Sequence, residues 1–296
     1  MIINFSLLII TSVFWSIGFI FVKISERSIP PVTTMFYRSV IAFATLFIIC
    51  IISNRSLSHA VGKYREFILF SIIGITIPWL GIAYSEKIIS SGLVASMLST
   101  IPIFTFIITS LIIKSERFTT YGLAGLLISL SGIILVIGVD RIFSQDSTLI
   151  GILIVLCAFL SYAINGILVT RISGDIDAII IITYTIGFST IFLTVLSYTI
   201  ENPFGVTPTT ENIPALLALG VISTALMFLG YYILLKRAGA LFTSLLGYLA
   251  PVSGIIAGII FLNESIRFSQ AAGVVLVLIG VFLVSYPKFR SAEQGE

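Results

Sequence analysis

Apolar side chains run through this chain in long stretches broken by short polar ones. Ten stretches stand out: Phe5–Ile24, Thr33–Ile52, Phe67–Tyr84, Gly92–Ile113, Thr120–Val139, Leu149–Val169, Ala178–Ile200, Ile213–Leu235, Leu241–Leu262 and Phe268–Tyr286. Each approaches the ~20 residues that a helix rising 1.5 Å per residue needs to cross ~30 Å of hydrocarbon. A membrane β-strand would be about ten residues long with polar and apolar positions alternating, and Leu126–Gly138 shows no such alternation. The pattern predicts an all-α integral membrane protein with ten transmembrane helices. The ten stretches hold 208 of the 296 residues, and the other 88 are spread over short loops and two tails, so no folded soluble domain fits between them. No basic residue precedes the first stretch and no small-x-small cleavage site follows it. It is read as a retained helix rather than a signal peptide.

The polar positions between the stretches set the orientation, because cytoplasmic loops carry the excess of Lys and Arg. With the N-terminus inside, the cytoplasmic set is Arg55, Lys63, Arg65, Lys114, Arg117, Arg171, Lys236, Arg237, Lys288 and Arg290. The opposite set is Lys23, Arg27, Lys87, Arg141 and Arg267. This count of ten against five predicts cytoplasmic N- and C-termini in a multi-pass protein of the bacterial cytoplasmic (inner) membrane.

Composition narrows the function classes. Only 10% of the residues are charged and 58% are hydrophobic, whereas a soluble domain carries about 25% charged residues. That balance argues against a cytosolic enzyme, a nucleic-acid binder and a secreted disulfide scaffold. The net charge of +3 calls for no anionic partner, and the two cysteines, Cys50 and Cys157, lack metal-ligand spacing and read as small hydrophobes. No cofactor is expected: the chain has no GxxxxGK[ST] run, no HExxH, no CxxC and no nucleophile elbow. The stretches contain no Asp, Glu or His, the groups that carry protons through membrane interiors. His59 lies in a polar loop and reads as solvated. The picture favours a facilitator or exchanger driven by the substrate gradient, with loop carboxylates near a vestibule left as the remaining proton carriers.

The pattern also repeats. Gly81, Lys87 and Pro102 match Gly230, Lys236 and Pro251 at an offset of 149, and Glu116, Gly125 and Gly132 match Glu264, Gly273 and Gly280 at 148. Phe14–Gly18 lies against Ser161–Asn165 at 147, a weaker match. Two repeats follow, 1–145 and 146–296, each of five helices. Five is odd, so the second copy enters the membrane inverted, an arrangement that lets two halves exchange conformations about a midplane site. In accord with inversion, Arg55, Lys63 and Arg65 follow the second helix, while the equivalent loop after the seventh carries Glu201, Glu211 and no base.

Both copies of Pro…Glu…Gly…Gly, namely Pro102-Ile103…Glu116…Gly125…Gly132 and Pro251-Val252…Glu264…Gly273…Gly280, resemble the EamA-type repeat of the drug/metabolite transporter (DMT) superfamily. Trp15 with Lys23, and Arg38 in a Tyr-Arg-Ser-Val-Ile-Ala stretch, resemble it too. The likeness covers essentially the whole chain. It departs at Tyr162, where the family's aromatic is often Trp, and at Thr185, which stands in the place of Arg38 and removes a charge. The resemblance implies a central cavity between helices of both halves, the third, fourth, eighth and ninth among them, with Tyr84 and Tyr231 as aromatic candidates.

Candidate site residues follow from polarity at depth. Arg38 is the sixth residue of its stretch, about 9 Å from the end of the helix. It either snorkels and caps carbonyls or contacts an anion or carboxylate. Lys23, one residue from its helix end, can snorkel to the interface. Trp15, Gly18 and Phe19, and likewise Tyr162, Asn165 and Gly166, are spaced i, i+3, i+4 and so share a helix face. Ser96, Ser99 and Thr100, and Ser244, Gly247 and Tyr248, are the polar positions of the fourth and ninth helices. The aromatic and hydroxyl groups suit a small amphipathic metabolite, and the small and hydroxylated residues equally serve helix packing in lipid. Pro78, Pro102 and Pro251 are kink candidates for gating. Gly125, Gly132, Gly273 and Gly280 form small stripes for close packing, within a monomer or across a homodimer, and the GxxxG of Gly254 and Gly258 has the same reading. Glu116 and Glu264 precede helices and read as caps.

The expected function is transmembrane transport of small organic metabolites, amino acids or related compounds first, by alternating access and with export favoured over uptake. An uptake carrier or exchanger for a nucleoside-like metabolite or vitamin is the alternative. An integral-membrane enzyme without a recognisable motif, and a channel, are rival classes; loops this short supply few proton- or metal-handling groups, and no charge ring or carbonyl filter is visible. The expected partners are the small-molecule substrate and the lipid bilayer, with no nucleic acid.

Overall fold

The computed structural model describes residues 2–57, 62–89, 94, 97–113, 120–137, 149–205, 210, 212–253 and 268–293. Among them every regular element is helical. In chain order these are α1 (Ile2–Ser25), α2 (Pro31–Ile52), α3 (Tyr64–Glu86), α4 (Thr100–Ile112), α5 (Thr120–Ile137), α6 (Leu149–Ile172) and α7 (Ala178–Ile200). The stretch Asn212–Ser244 follows. It is broken at Gly239, whose φ of 83° and ψ of 174° are non-helical, so that α8 covers 212–238 and α9 covers 240–253. The last helix, α10, is Phe268–Glu293. Among the described residues six helical stretches are long and apolar enough to cross a bilayer: Ile3–Val22 in α1, α2, α3, α6, α7 and Asn212–Ser244. Shorter apolar helices lie at Thr100–Ile112, Thr120–Leu135 and Ala271–Val284. This is a multi-pass integral membrane protein.

The distribution of side chains explains the bundle. Ile9, Ile20, Phe47, Ile48, Leu127, Val195 and Phe282 point outward, where lipid tails are as apolar as they are. Burial in lipid therefore does not drive helix association, and close packing with interhelical hydrogen bonds must do so. Glycines provide the close approach. A Cβ on Gly81 would come within 2.9 Å of Ala158 Cβ, joining α3 to α6, and one on Gly230 within 2.5 Å of Thr11 Oγ1, joining α8 to α1. The α5 and α10 helices run antiparallel in close contact: a Cβ on Gly125 would stand 2.6 Å from the Gly280 carbonyl oxygen, and one on Gly132 equally close to that of Gly273. Hydroxyls add the polar links, with Thr33 and Ser197 joining α2 to α7 at 2.9 Å and Ser12 and Ser253 joining α1 to α9 at 2.9 Å.

Helix ends are tied to one another. The Glu201 carboxylate, just after α7, accepts from the backbone N–H groups of Val32 and Thr33 at 3.2 and 2.8 Å, satisfying orphan donors at the positive end of α2. Asn212, opening α8, donates to the Ile24 and Ser25 carbonyls at the end of α1. At the opposite end of the bundle, Lys63 donates to the Ile172 carbonyl at 3.3 Å and Lys236 to that of Gly174, capping α6. Arg55 and Asp177 form an ion pair there at 2.5 Å. Both α2 and α7 end on an asparagine with φ of 51°, Asn54 and Asn202, in the left-handed conformation that asparagine tolerates at helix C-termini.

Among the described residues three helices contain a π-helical turn that the apolar pattern does not announce: Ile72–Thr76 in α3, Ile108–Ile112 in α4 and Val221–Leu226 in α8. In α3 the wide turn stands just before Pro78, whose nitrogen has no proton for the Gly74 carbonyl. Pro102 differs from expectation. It lies in the first turn of α4 after a break at Leu98–Ser99, where a missing N–H costs nothing, so it does not kink a continuous helix. Pro251 lies within the helical part of α9. The third stretch also extends past Tyr84 to Glu86, which carries a carboxylate into the helix.

Candidate substrate cavity

Four helices converge on a narrow cavity. Trp15, Gly18, Phe19 and Val22 face it from α1, Met35 and Arg38 from α2, Trp79, Ile82 and Glu86 from α3, and Tyr162 from α6. The spacings i, i+3, i+4, i+7 in α1 and i, i+3, i+7 in α3 put each set on one face of its helix. Trp15 and Tyr162 meet edge to face, with centroids 5.9 Å apart and planes at 80°. The cavity measures about 30 Å³, room for roughly two waters, whereas pockets that hold metabolites start at about 300 Å³. Ligand entry therefore requires the helices around it to separate.

Arg38 dominates the electrostatics. It is 8% exposed, and every other buried polar residue among those described is Ser, Thr or Asn. Its Nε donates to Thr224 Oγ1 at 2.6 Å, its Nη2 to the Ser223 carbonyl at 3.4 Å and its Nη1 to Met35 Sδ at 3.9 Å. The guanidinium carbon stands 4.1 Å from the centre of the Trp79 ring, a cation–π contact strengthened by desolvation. Each of these partners is neutral. The π-helical turn of α8 makes the arrangement possible: Thr224 donates its hydroxyl proton to the Leu219 carbonyl at 2.7 Å, leaving the hydroxyl oxygen to accept from Arg38.

Acidic groups gather at the end of the cavity that Glu86 lines. Glu26, in the turn after α1, has a buried Oε1 without a hydrogen-bond partner. Burial raises its carboxyl from 4.5 to about 7, with Glu86 and Glu201 adding to the rise and Lys87 opposing it. The sequence places no carboxylate within the stretches, yet the two further residues of α3 bring Glu86 onto the cavity wall.

Of the residues singled out from sequence, Trp15, Phe19, Arg38 and Tyr162 come together here. Tyr84 does not: it is 40% exposed, with the Lys87 ammonium 5.3 Å from its ring centre. At ~100° per residue it points about 200° away from Ile82 and Glu86. Asn165 lies deeper, buried against Gly74, with Nδ2 donating to the Tyr232 hydroxyl at 3.5 Å and Oδ1 without a hydrogen-bond partner. Tyr231 is buried edge-on against Phe228 and Tyr232. Thr100 donates to the Met97 carbonyl just before α4 and Ser244 to the Leu241 carbonyl of its own helix, and Tyr248 donates to the Leu126 carbonyl at 3.2 Å, holding α9 to α5. None of these six lines the cavity. Ser96, His59, Glu116, Glu264, Gly254 and Gly258 lie outside the described residues, as does the side chain of Lys23.

Sequence reasoning missed Trp79, Glu86, Met35, Ser223 and Thr224. The first two had a signal: Trp79, Ile82 and Glu86 recur at helical spacing, and Trp79 is one of only two tryptophans. The partners on α8 had none, because a π-helical turn re-aims side chains without a mark in the apolar pattern.

A family model, the EamA-like transporter family, matches residues 3–138 and again 149–286. The chain belongs to that family. Relatives include the uncharacterized transporter YoaV of Bacillus subtilis (strain 168), 25% identical over 280 residues that span 94% of this chain and 95% of that one. An uncharacterized transporter of Archaeoglobus fulgidus is 26% identical, with 94% and 96% covered, and the protein PagO of Salmonella typhimurium is 23% identical, with 94% and 91% covered. A crystal structure 18% identical in sequence superposes with a TM-score of 0.79 over 96% of both chains, which speaks for a shared fold. The family model matches twice along one EamA-like chain, and the cavity joins the two matches: Trp15, Arg38 and Trp79 come from the first and Tyr162 from the second.

Proposed function

We propose that this protein moves small organic metabolites, amino acids or related compounds first among them, across a bacterial cytoplasmic membrane by alternating access, with export the favoured direction. The observation that carries the reading is the cavity itself: a buried cation and aromatic walls, shared between two halves of one chain, in a volume too small to admit a metabolite unless the halves move. Such a site serves a carrier rather than an enzyme. Both halves of the cavity come from one chain, so a monomer suffices.

The contacts support ten transmembrane helices arranged as two inverted repeats, 1–145 and 146–296. Moving a first-half residue by the repeat offset of 147 to 149 takes Gly18 to Asn165 and Gly74 to Ser223. The contact of Gly18 with Ser223 thus becomes that of Asn165 with Gly74, and both occur. The same exchange turns Gly81 on Ala158 into Gly230 on Thr11, and Gly125 on Gly280 into Gly273 on Gly132. Leu98 maps onto Gly247, which touches it, as expected of residues near a two-fold axis. Because α5 and α10 are antiparallel, that axis runs across the helices, as inversion requires. Arg55, Lys63, Arg65, Arg171, Lys236 and Arg237 at one end, against Arg27 and Lys87 at the other, support cytoplasmic termini on the basic side.

Counterflow in proteoliposomes, screened over amino acids, nucleoside-like metabolites, vitamins and amines, tests the proposal. Exchange of amino acids or close relatives is the expected result. Failure to move any solute, together with product formation in a parallel enzymatic assay, would overturn it.

A further inference from the structure

A single charged side chain is buried among the described residues, and it borders a cavity lined by residues of both halves. Arg38 has five N–H donors in a planar fork, yet its partners are a hydroxyl, a carbonyl, a thioether and the Trp79 ring. A cation held by neutral groups in a desolvated site keeps most of its desolvation penalty, and a fork of this geometry matches a carboxylate in bidentate fashion. Stability alone does not favour such a residue in lipid, where intramembrane charges mark ligand pathways. The other lining residues are apolar or aromatic, with Trp79 against the guanidinium, except Glu86, which lies about two helical turns beyond Trp79 on α3.

We infer that Arg38 anchors the carboxylate of the transported solute, and that the solute is a monocarboxylate or zwitterion with an apolar body. This rests on the proposed transport reading and narrows it. The body lies on the aromatic wall, while the Glu86 carboxylate repels a second negative charge and tolerates an ammonium, so dicarboxylates are excluded. In the closed cavity Thr224 and Ser223 occupy the guanidinium. An arriving carboxylate takes their place, which releases α2 from the π-helical turn of α8. Arg38 is thereby both the recognition element and the group whose change of partner loosens the contact between the halves.

Both tryptophans of the chain line this cavity, so intrinsic tryptophan fluorescence of the purified full-length protein reports on it alone. Five probes of similar size separate the chemistries: isocaproate, leucine, isoamylamine, isohexanol and glutarate. Saturable responses to isocaproate and leucine, and none to the amine, the alcohol or the dicarboxylate, are expected. Arg38→Gln should weaken isocaproate binding about tenfold or more, the size of a lost charged hydrogen bond, with Arg38→Lys intermediate. Thr224→Val keeps the shape of the side chain but frees the guanidinium, and should tighten isocaproate binding about threefold. A purely structural Arg38 would give no such tightening, so this variant decides the matter even if Arg38→Gln folds poorly. Equal responses to alcohol and carboxylate, no response to either carboxylate-bearing monoanion or zwitterion, or unchanged affinity in Thr224→Val would overturn the inference. Counterflow separates the two readings: Arg38-dependent binding without transport sinks the carrier and spares the anchor, while transport confined to amines or neutral solutes does the reverse.

Discussion

Replacing Gly132 by alanine probes the close packing of α5 against α10. The new Cβ would lie 2.6 Å from the Gly273 carbonyl oxygen and 2.8 Å from the Val277 nitrogen. Both are backbone atoms, which cannot rotate away, and carbon reaches its dispersion minimum near 3.5 Å, so α5 and α10 must part by roughly 1 Å. Overpacking of this kind costs about 1–3 kcal/mol. In a chain of this size each kcal/mol shifts Tm by roughly 2–4 °C, so a fall of about 2–12 °C is expected for the detergent-purified protein, followed by tryptophan fluorescence. Gly62→Ala is the control, because a Cβ there meets nothing within 4 Å. If the glycines serve packing alone, transport per folded molecule stays at the wild-type level in Gly132→Ala. An unchanged Tm would refute the steric reasoning, and a lost transport rate at unchanged Tm would move these glycines from packing to gating.

Glu26 makes stability fall with pH. Its carboxyl rises from 4.5 to about 7 on folding, so between those values the folded chain keeps a proton that the unfolded chain has released. The stabilisation present below 4.5 is lost as pH climbs through about 7. The loss is at most about 3 kcal/mol, because the group is partly solvated. Glu26→Gln should flatten Tm against pH across this window, and a slope equal to wild type would disprove the assignment. Gly239 has φ 83° and ψ 174°, a conformation closed to side-chain-bearing residues. Gly239→Ala should cost about 1–3 kcal/mol and lower Tm accordingly, and a wild-type Tm would show that the turn between α8 and α9 relaxes freely.

Legibility varied with how local the cause was. Trp15, Phe19 and Arg38 were found because an aromatic or a charge in an apolar run is conspicuous, and their grouping follows from helical spacing on α1 and α2. Tyr84 was misplaced because the end of α3 was set by composition at Tyr84 rather than by helix continuity to Glu86, which hid the face formed by Trp79, Ile82 and Glu86. Tyr248, Thr100 and Ser244 satisfied the rule that polar groups at depth line cavities, yet each found a carbonyl partner within the bundle. A hydroxyl in lipid must bond to something, and sequence does not say whether that is a substrate or a backbone. The place of Pro102 inside an apolar run predicts a kink, whereas the break at Leu98–Ser99 puts it in the first turn of a helix.

The sequence by itself determined the solvent, the helical class, the doubled pattern and the family. These depend on apolar run length, on the scarcity of charge and on motifs at fixed offsets, all of which are properties of the chain read in order. Only the tertiary structure decided what surrounds Arg38. Its neutral partners, Thr224 and Ser223 on α8 and Trp79 on α3, are distant in sequence and are aimed at it by a π-helical turn and by glycine contacts that set how closely the helices approach. In lipid, packing geometry rather than hydrophobic burial selects the neighbours of a helix, and a period of apolar residues carries no record of that geometry.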